Sequence, residues 1–165
     1  MLSSPRPHAS IAGVVVVLLM LAPATVLPQS AQSAESLLLG TWRIDLQASR
    51  YSPGPPVRDE TRTYIRDEKG IAGRIDRTHA DGRREVIDYR ADVEQHVPVS
   101  GTRAYDAIRL KRIDMYTTEG VLSHAGRVTG YSRRTISADG RTMTITFRRE
   151  EPGDMVKNLV IYRKR

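Results

Sequence analysis

The chain contains no cysteine in 165 residues and only one tryptophan and one phenylalanine. Without cysteine there are no disulfides, thiolate metal sites or cysteine nucleophiles, and no lipid can be attached at a cleavage-site cysteine. So few large aromatics make a thin core, so a barrel filled by the remaining side chains is either narrow or partly hollow. Sustained helical periodicity is missing as well. So are basic runs interleaved with aromatics, which argues against nucleic acid as a partner. There is no Gly-rich phosphate loop, paired-acid glycosidase pattern or dinucleotide fingerprint. Ser132, in "YSRR", lacks the Gly-x-Ser-x-Gly turn of a nucleophile elbow. His79 and His124 stand alone. His96 follows Glu94 by two residues, but metals take three or four ligands. No catalytic residue, metal or cofactor is assigned, and enzymatic activity is left as the less favoured reading.

The N-terminus carries Arg6 and His8, then an uncharged stretch over 11–27, then the small-residue segment "PQSAQSAES". This is the pattern of a secretory signal peptide, with cleavage between Ala31 and Glu35 and "Ala31-Gln32-Ser33" the best small-x-small fit. The unbroken apolar run from Ile11 to Ala22 ends at Pro23 and is short for a membrane span, which needs about 20 residues. The reading is therefore a signal segment over 1–34, a single domain over 35–165, and export to the periplasm or the medium. A retained anchor is the alternative. Only Arg6 among the charged residues lies upstream of Glu35, so the formal charge of +7 falls to +6 for the remainder. Arginine greatly outnumbers lysine. Such a surface is either an ordinary salt-bridged one or one that attracts anions such as acidic ligands, lipid headgroups or envelope polysaccharide.

Short alternating segments separated by Gly, Asp-Gly and Pro predict strands throughout. They fall near 40–46, 60–66, 71–78, 84–91, 95–98, 104–113, 115–119, 121–129, 130–137, 141–149 and 157–164, with one short helical turn over 46–51. "ADGR" at 80–83 and at 138–141 predicts two tight hairpins, and "EKG" at 68–70, "TEG" at 118–120 and "EPGD" at 151–154 predict weaker turns. "YSPGPPVRDE", 51–60, reads as a linker or lid. Alternation puts Met143, Ile145 and Phe147 inside, likewise Ile108 with Leu110, Ile87 with Tyr89 and Ala91, and Ile71 with Gly73 and Ile75. The last strand is apolar on both faces, through Leu159 with Ile161 and Val160 with Tyr162. The fold class is all-β, an antiparallel up-and-down barrel of about eight to ten strands.

Gly40-Thr41-Trp42 at the first strand, the many short strands after it and the closing "VIYRKR" make the chain resemble a calycin, the group of lipocalins and fatty-acid-binding proteins. It is similar more closely to uncharacterised small exported bacterial barrels with a "GTWxxDxxxSxYxPGP" opening and a "SRRxxSADGxTMT" segment, here 40–55 and 132–144. The resemblance implies that Gly40, Trp42 and Arg163 close the barrel floor, with the Arg163 guanidinium packed over the Trp42 indole. The fatty-acid-binding Arg-x-Tyr pair is incomplete: Val160-x-Tyr162 keeps only the tyrosine, and Arg134, on a face with Val128 and Ile136, is the substitute. Tyr64, Tyr89, Arg134 and Tyr162 are the candidate ligand-binding residues, with Tyr131 a further tyrosine on its own strand. Asp88 and Asp106 share faces with apolar residues, as interior bases or as paired surface acids.

Three functions stay open. The first is an exported, non-catalytic barrel that binds a small apolar or amphipathic ligand, an anionic one included. The second is an envelope module that engages an anionic surface or partner through its basic exterior. The third is a small-barrel isomerase or hydrolase using an interior Asp or His.

Overall fold

The computed structural model describes residues 33–92, 94–151 and 154–165. The expected signal segment falls outside these residues except for Ser33 and Ala34, and the "EPGD" turn falls partly outside them. A short helix, α1 (Ala34–Leu38), precedes ten strands. These are β1 (Gly40–Ser52), β2 (Asp59–Asp67), β3 (Gly70–Thr78), β4 (Arg84–Arg90), β5 (His96–Ser100), β6 (Ala107–Arg112), β7 (Thr117–His124), β8 (Arg127–Ile136), β9 (Thr142–Glu151) and β10 (Asp154–Lys164). Each pairs antiparallel with the next, and β1 closes on β10, so the sheet is an up-and-down barrel. Alternation has the expected consequence: Ile71, Ile75, Ile87, Ile108, Leu110, Met143, Ile145, Val160 and Tyr162 are all buried inside.

Both "ADGR" segments form the same hairpin. Gly82 (φ +90°) and Gly140 (φ +67°) supply the left-handed residue, while Asp81 and Asp139 each accept a hydrogen bond from the backbone N–H two residues on. The "TEG" segment is different. β7 runs straight through Gly120, and the chain reverses at Ala125-Gly126, both with positive φ. The sequence signal points the wrong way for a packing reason. A Cβ on Gly120 would stand 2.5 Å from Ser132 Oγ and 3.2 Å from Leu110 Cδ2, so glycine is there to leave room inside the barrel. At the true turn, the Asp106 carboxylate accepts from Ala125 N–H at 2.8 Å and helps to hold an alanine where asparagine or glycine is usual. Asp106 is thus a half-exposed rim residue, and Asp88 points outward to Arg74. Neither is an interior base.

The expected helical turn over 46–51 is a bulge inside β1. Pairing with β10 is regular at Asp45↔Ile161 and resumes at Arg50↔Leu159. The Asp45 carboxylate accepts from Ala48 N–H, and Ser49 Oγ donates to Asp45 O while accepting from Ile161 N–H at 3.0 Å. A second bulge, where Leu122↔Gly130 is followed by Ser123↔Val128, breaks the alternation on β8. Val128 is therefore exposed, although Ile136 on the same strand is buried.

The two ends differ. The loops between β1 and β2, β3 and β4, β5 and β6, and β7 and β8 surround one end. At the other end, Leu37 and Leu38 of α1 are buried and Trp42 is fully inaccessible. Ser33 caps α1 by accepting from Ser36 N–H, and Glu35 ties it to Arg66 and Arg112.

Candidate functional site

At the α1 end, Trp42 Nε1–H donates to Leu38 O at 2.8 Å. The cation over its ring is Lys164, with Nζ 5.0 Å from the ring centre and donating to Leu37 O at 3.0 Å. Burial holds the Lys164 ammonium below its usual pKa. Arg163 does not pack on Trp42. It faces outward and bonds to Asp45 and Thr142. Strand parity explains the difference, because Val160, Tyr162 and Lys164 share the inner face of β10 and Arg163 cannot. Gly40 has φ +117°, and a Cβ there would lie 3.0 Å from Lys164 Cε, so glycine lets the lysine reach across the floor.

Above this floor the barrel encloses a cavity of about 430 Å³. Its aliphatic wall includes Ile75, Ile108, Leu110, Leu122, Ile145 and Val160, and Arg62, Arg77, Arg134, Arg149 and Glu60 also line it. Glu60 is 2% exposed. Its carboxylate accepts from Arg62 Nε at 2.8 Å, from Arg77 Nε at 2.6 Å and from the Tyr162 hydroxyl at 2.6 Å. Burial pushes the Glu60 carboxyl up, but the two guanidinium charges and the tyrosine bond outweigh it and hold the pKa at about 2. Arg62 also lies over the Tyr162 ring, 5.0 Å from its centre. The network continues toward the mouth: Arg77 reaches Glu85 at 3.2 Å, and His79 Nε2 lies 3.2 Å from the same Glu85 oxygen.

Tyr64, Tyr89 and Arg134 form a second polar group. The two tyrosine hydroxyls are 3.0 Å apart, with their rings edge to face. Arg134 sits over the Tyr64 ring at 5.5 Å and donates to Thr118 Oγ1 at 3.3 Å. Burial raises the Tyr64 hydroxyl, but the Arg62 and Arg134 charges and the bond with Tyr89 outweigh it, so Tyr64 is the more acidic partner. Burial and the neighbouring Tyr64 push Tyr89 up, and either hydroxyl can donate within the pair. Among the described residues, no carboxylate lies within ion-pair distance of Arg134. Gly73 makes the pair possible, since a Cβ there would stand 3.0 Å from the Tyr89 ring.

Tyr51, Pro53, Pro55, Val57 and Tyr105 line the opposite part of the cavity. The expected linker thus borders the cavity from the mouth side. Burial raises the Tyr51 hydroxyl to about 12.

Tyr64, Tyr89, Arg134 and Tyr162, named from the sequence, all line this one cavity. Tyr131 does not. It is on the outer face of β8, 45% exposed, with Arg148 stacked 5.3 Å from its ring centre. Glu94 and His96 are exposed. Glu60, Arg62, Arg77 and Glu85 are the interior residues that sequence reasoning passes over. Their signal was parity alone: Glu60 and Arg62 share a face with Tyr64, Arg77 with Ile75, and Glu85 with Ile87. Charge argued for the outside, and the mutual pairing of these groups is what allows them inside. Compared with protein-family models, with curated proteins and with solved structures, the chain finds no match.

Proposed function

We propose that this protein binds a small amphipathic anion inside its barrel and performs no chemistry on it. The observation that carries this reading is Arg134, a cavity-lining guanidinium partnered by a hydroxyl and a ring but, among the described residues, by no carboxylate. A charge in such a place is stabilised by an anion that enters with it. The Tyr64 and Tyr89 hydroxyls are the neighbouring polar groups, and the aliphatic wall takes the tail. The cavity volume falls within the roughly 300–1,000 Å³ of small-molecule sites. By contrast, the Glu60 carboxylate is locked by two arginines and a tyrosine, which disfavours it as a general base.

Anilinonaphthalene sulfonate is expected to bind saturably and to be displaced by decanoate more effectively than by decanol. Losing a hydrogen bond to a charged group costs about 1.5–3 kcal/mol, so Arg134→Gln should weaken decanoate by roughly tenfold or more and leave decanol unchanged. Equal competition by acid and alcohol, or no saturable binding, would sink the reading. The same proposal places the chain with calycin-like exported barrels. N-terminal sequencing of protein recovered outside the cytoplasm should then start between residues 32 and 35, and a full-length cytoplasmic chain would contradict it.

A further inference from the structure

The outward charges are unevenly distributed. On the β1–β4 side several are paired with acids: Arg43 meets Asp59, Arg74 meets Asp76 and Asp88, and Arg90 meets Asp67 and Asp92. On the β7–β10 side, cross-strand register builds two rows. One runs Val121, Tyr131, Arg148, Lys157, and the other Glu119, Arg133, Thr146, Leu159, Arg50. They flank an outer groove of about 680 Å³ whose lining includes Arg50, Arg133, Arg148 and Lys157 against one acid, Glu119. That acid is consumed by Arg133 at 2.7 Å. Arg50 donates to the nearby backbone carbonyls of Gln47 and Ser49, and Arg148 stacks on Tyr131. Among the described side chains, this face therefore carries cations in excess. Apolar groups stand between them: Tyr131 is 45% and Leu159 39% exposed.

We infer that this β7–β10 face docks on a bilayer rich in anionic phospholipid. The cations complement phosphate headgroups, each attracted by the negative surface potential. The apolar side chains favour a bilayer over a soluble polyanion, because Leu159 and the Tyr131 ring gain from the headgroup–acyl boundary and gain nothing from a sulfated or carboxylated polymer. Tyr131 is suited to that boundary, with an apolar body and a polar tip. The docking leaves the cavity open, since the groove is on the barrel's outer wall.

The test is co-sedimentation of the full chain with phosphatidylcholine vesicles, with and without phosphatidylglycerol. Any apolar contribution of the N-terminal segment is common to both, and the difference between them reports the headgroup charge. Binding should require phosphatidylglycerol and weaken as salt rises. Arg148→Glu with Lys157→Glu should reduce it by about tenfold or more, whereas Lys69→Glu with Arg84→Glu, an equal change of net charge among exposed residues elsewhere, should leave it within about twofold. Tyr131→Ser with Leu159→Ser should weaken vesicle binding several-fold while retention on dextran sulfate stays unchanged. These side chains are exposed, and Trp42 emission reports whether each variant is folded. Equal loss in both charge-reversal pairs would reduce the effect to net charge. Vesicle binding indifferent to Tyr131 and Leu159 would make the partner a polyanion. Either result overturns the inference.

Discussion

Glu60 illustrates how much a single buried charge depends on its partners. Its carboxylate is worth having only while Arg62, Arg77 and Tyr162 surround it, and they are worth burying only while it is there. Glu60→Gln leaves the inward Arg62 without its acid and Arg77 with Glu85 alone, and a loss of about 3–5 kcal/mol at neutral pH is expected. The pH dependence follows from the sign of the shift. A carboxyl held at about 2, below the roughly 4.3 of the unfolded chain, adds stability at pH above the unfolded value and loses it as pH falls through about 2. The stability gap between wild type and Glu60→Gln in urea titrations should therefore narrow by about 3 kcal/mol between pH 6 and pH 2. A gap constant over that range would mean that Glu60 is not held ionised by its arginines. At the barrel floor, Lys164 and Arg163 are adjacent in sequence but opposite in direction. Lys164→Met should shift Trp42 emission and cost about 1–2 kcal/mol, while Arg163→Ala should leave the emission unchanged. The opposite pattern would restore the arginine to the tryptophan.

At the scale of elements, β1 gives a physical reading of "GTWxxDxxxSxYxPGP". Gly40 admits Lys164, Trp42 fills the floor, and Asp45 and Ser49 together let the strand bulge and resume its pairing. Tyr51, Pro53 and Pro55 then border the cavity. Ser49→Ala would leave the Ile161 N–H without its acceptor, and a loss of about 1–3 kcal/mol is expected by thermal or urea unfolding, against almost none for the exposed neighbour Gln47→Ala. The strands themselves were legible because period-two alternation survives wherever one face is buried, as in "RTMTITF". What hid the rest was local signal overruled by packing. Gly120 looks like a turn but clears space for Ser132, and Ala125-Gly126 is a turn without the usual asparagine. Residues 46–51 look helical because an Asx contact replaces strand pairing there. α1 is hidden in the sequence because its five residues begin inside the small-residue segment "PQSAQSAES". Within the cavity, tyrosines and Arg134 could be named, but their charged neighbours read as surface until their partners on other strands were known.

The barrel of described strands is a sheet without a free edge, yet its seams are unequal. β9 and β10 pair continuously from Glu151↔Asp154 to Thr142↔Arg163, whereas β4 meets β5 only at Asp88↔Ser100 and Tyr89↔Val99, and β5 meets β6 only from His96↔Arg109 to Pro98↔Ala107. Pro98 further removes a backbone donor from β5. The barrel is thus expected to open locally at β5 while β9, β10 and β1 stay closed. No side chain of β5 lines the cavity, but Tyr64 of β2 and Arg134 of β8 do. These two facts separate the seam from the proposed ligand site in one measurement. In native-state hydrogen exchange, the amides of Val97 and Val99 should open at lower free energy than those of Ile145 and Val160. Saturating decanoate should then slow exchange in β2 and β8 and leave β5 almost unchanged, because the ligand stabilises only openings that break its own contacts. Uniform protection without ligand would show that closure makes the ten strands one cooperative unit. Equal slowing of all strands by decanoate would show that the ligand acts on global unfolding alone.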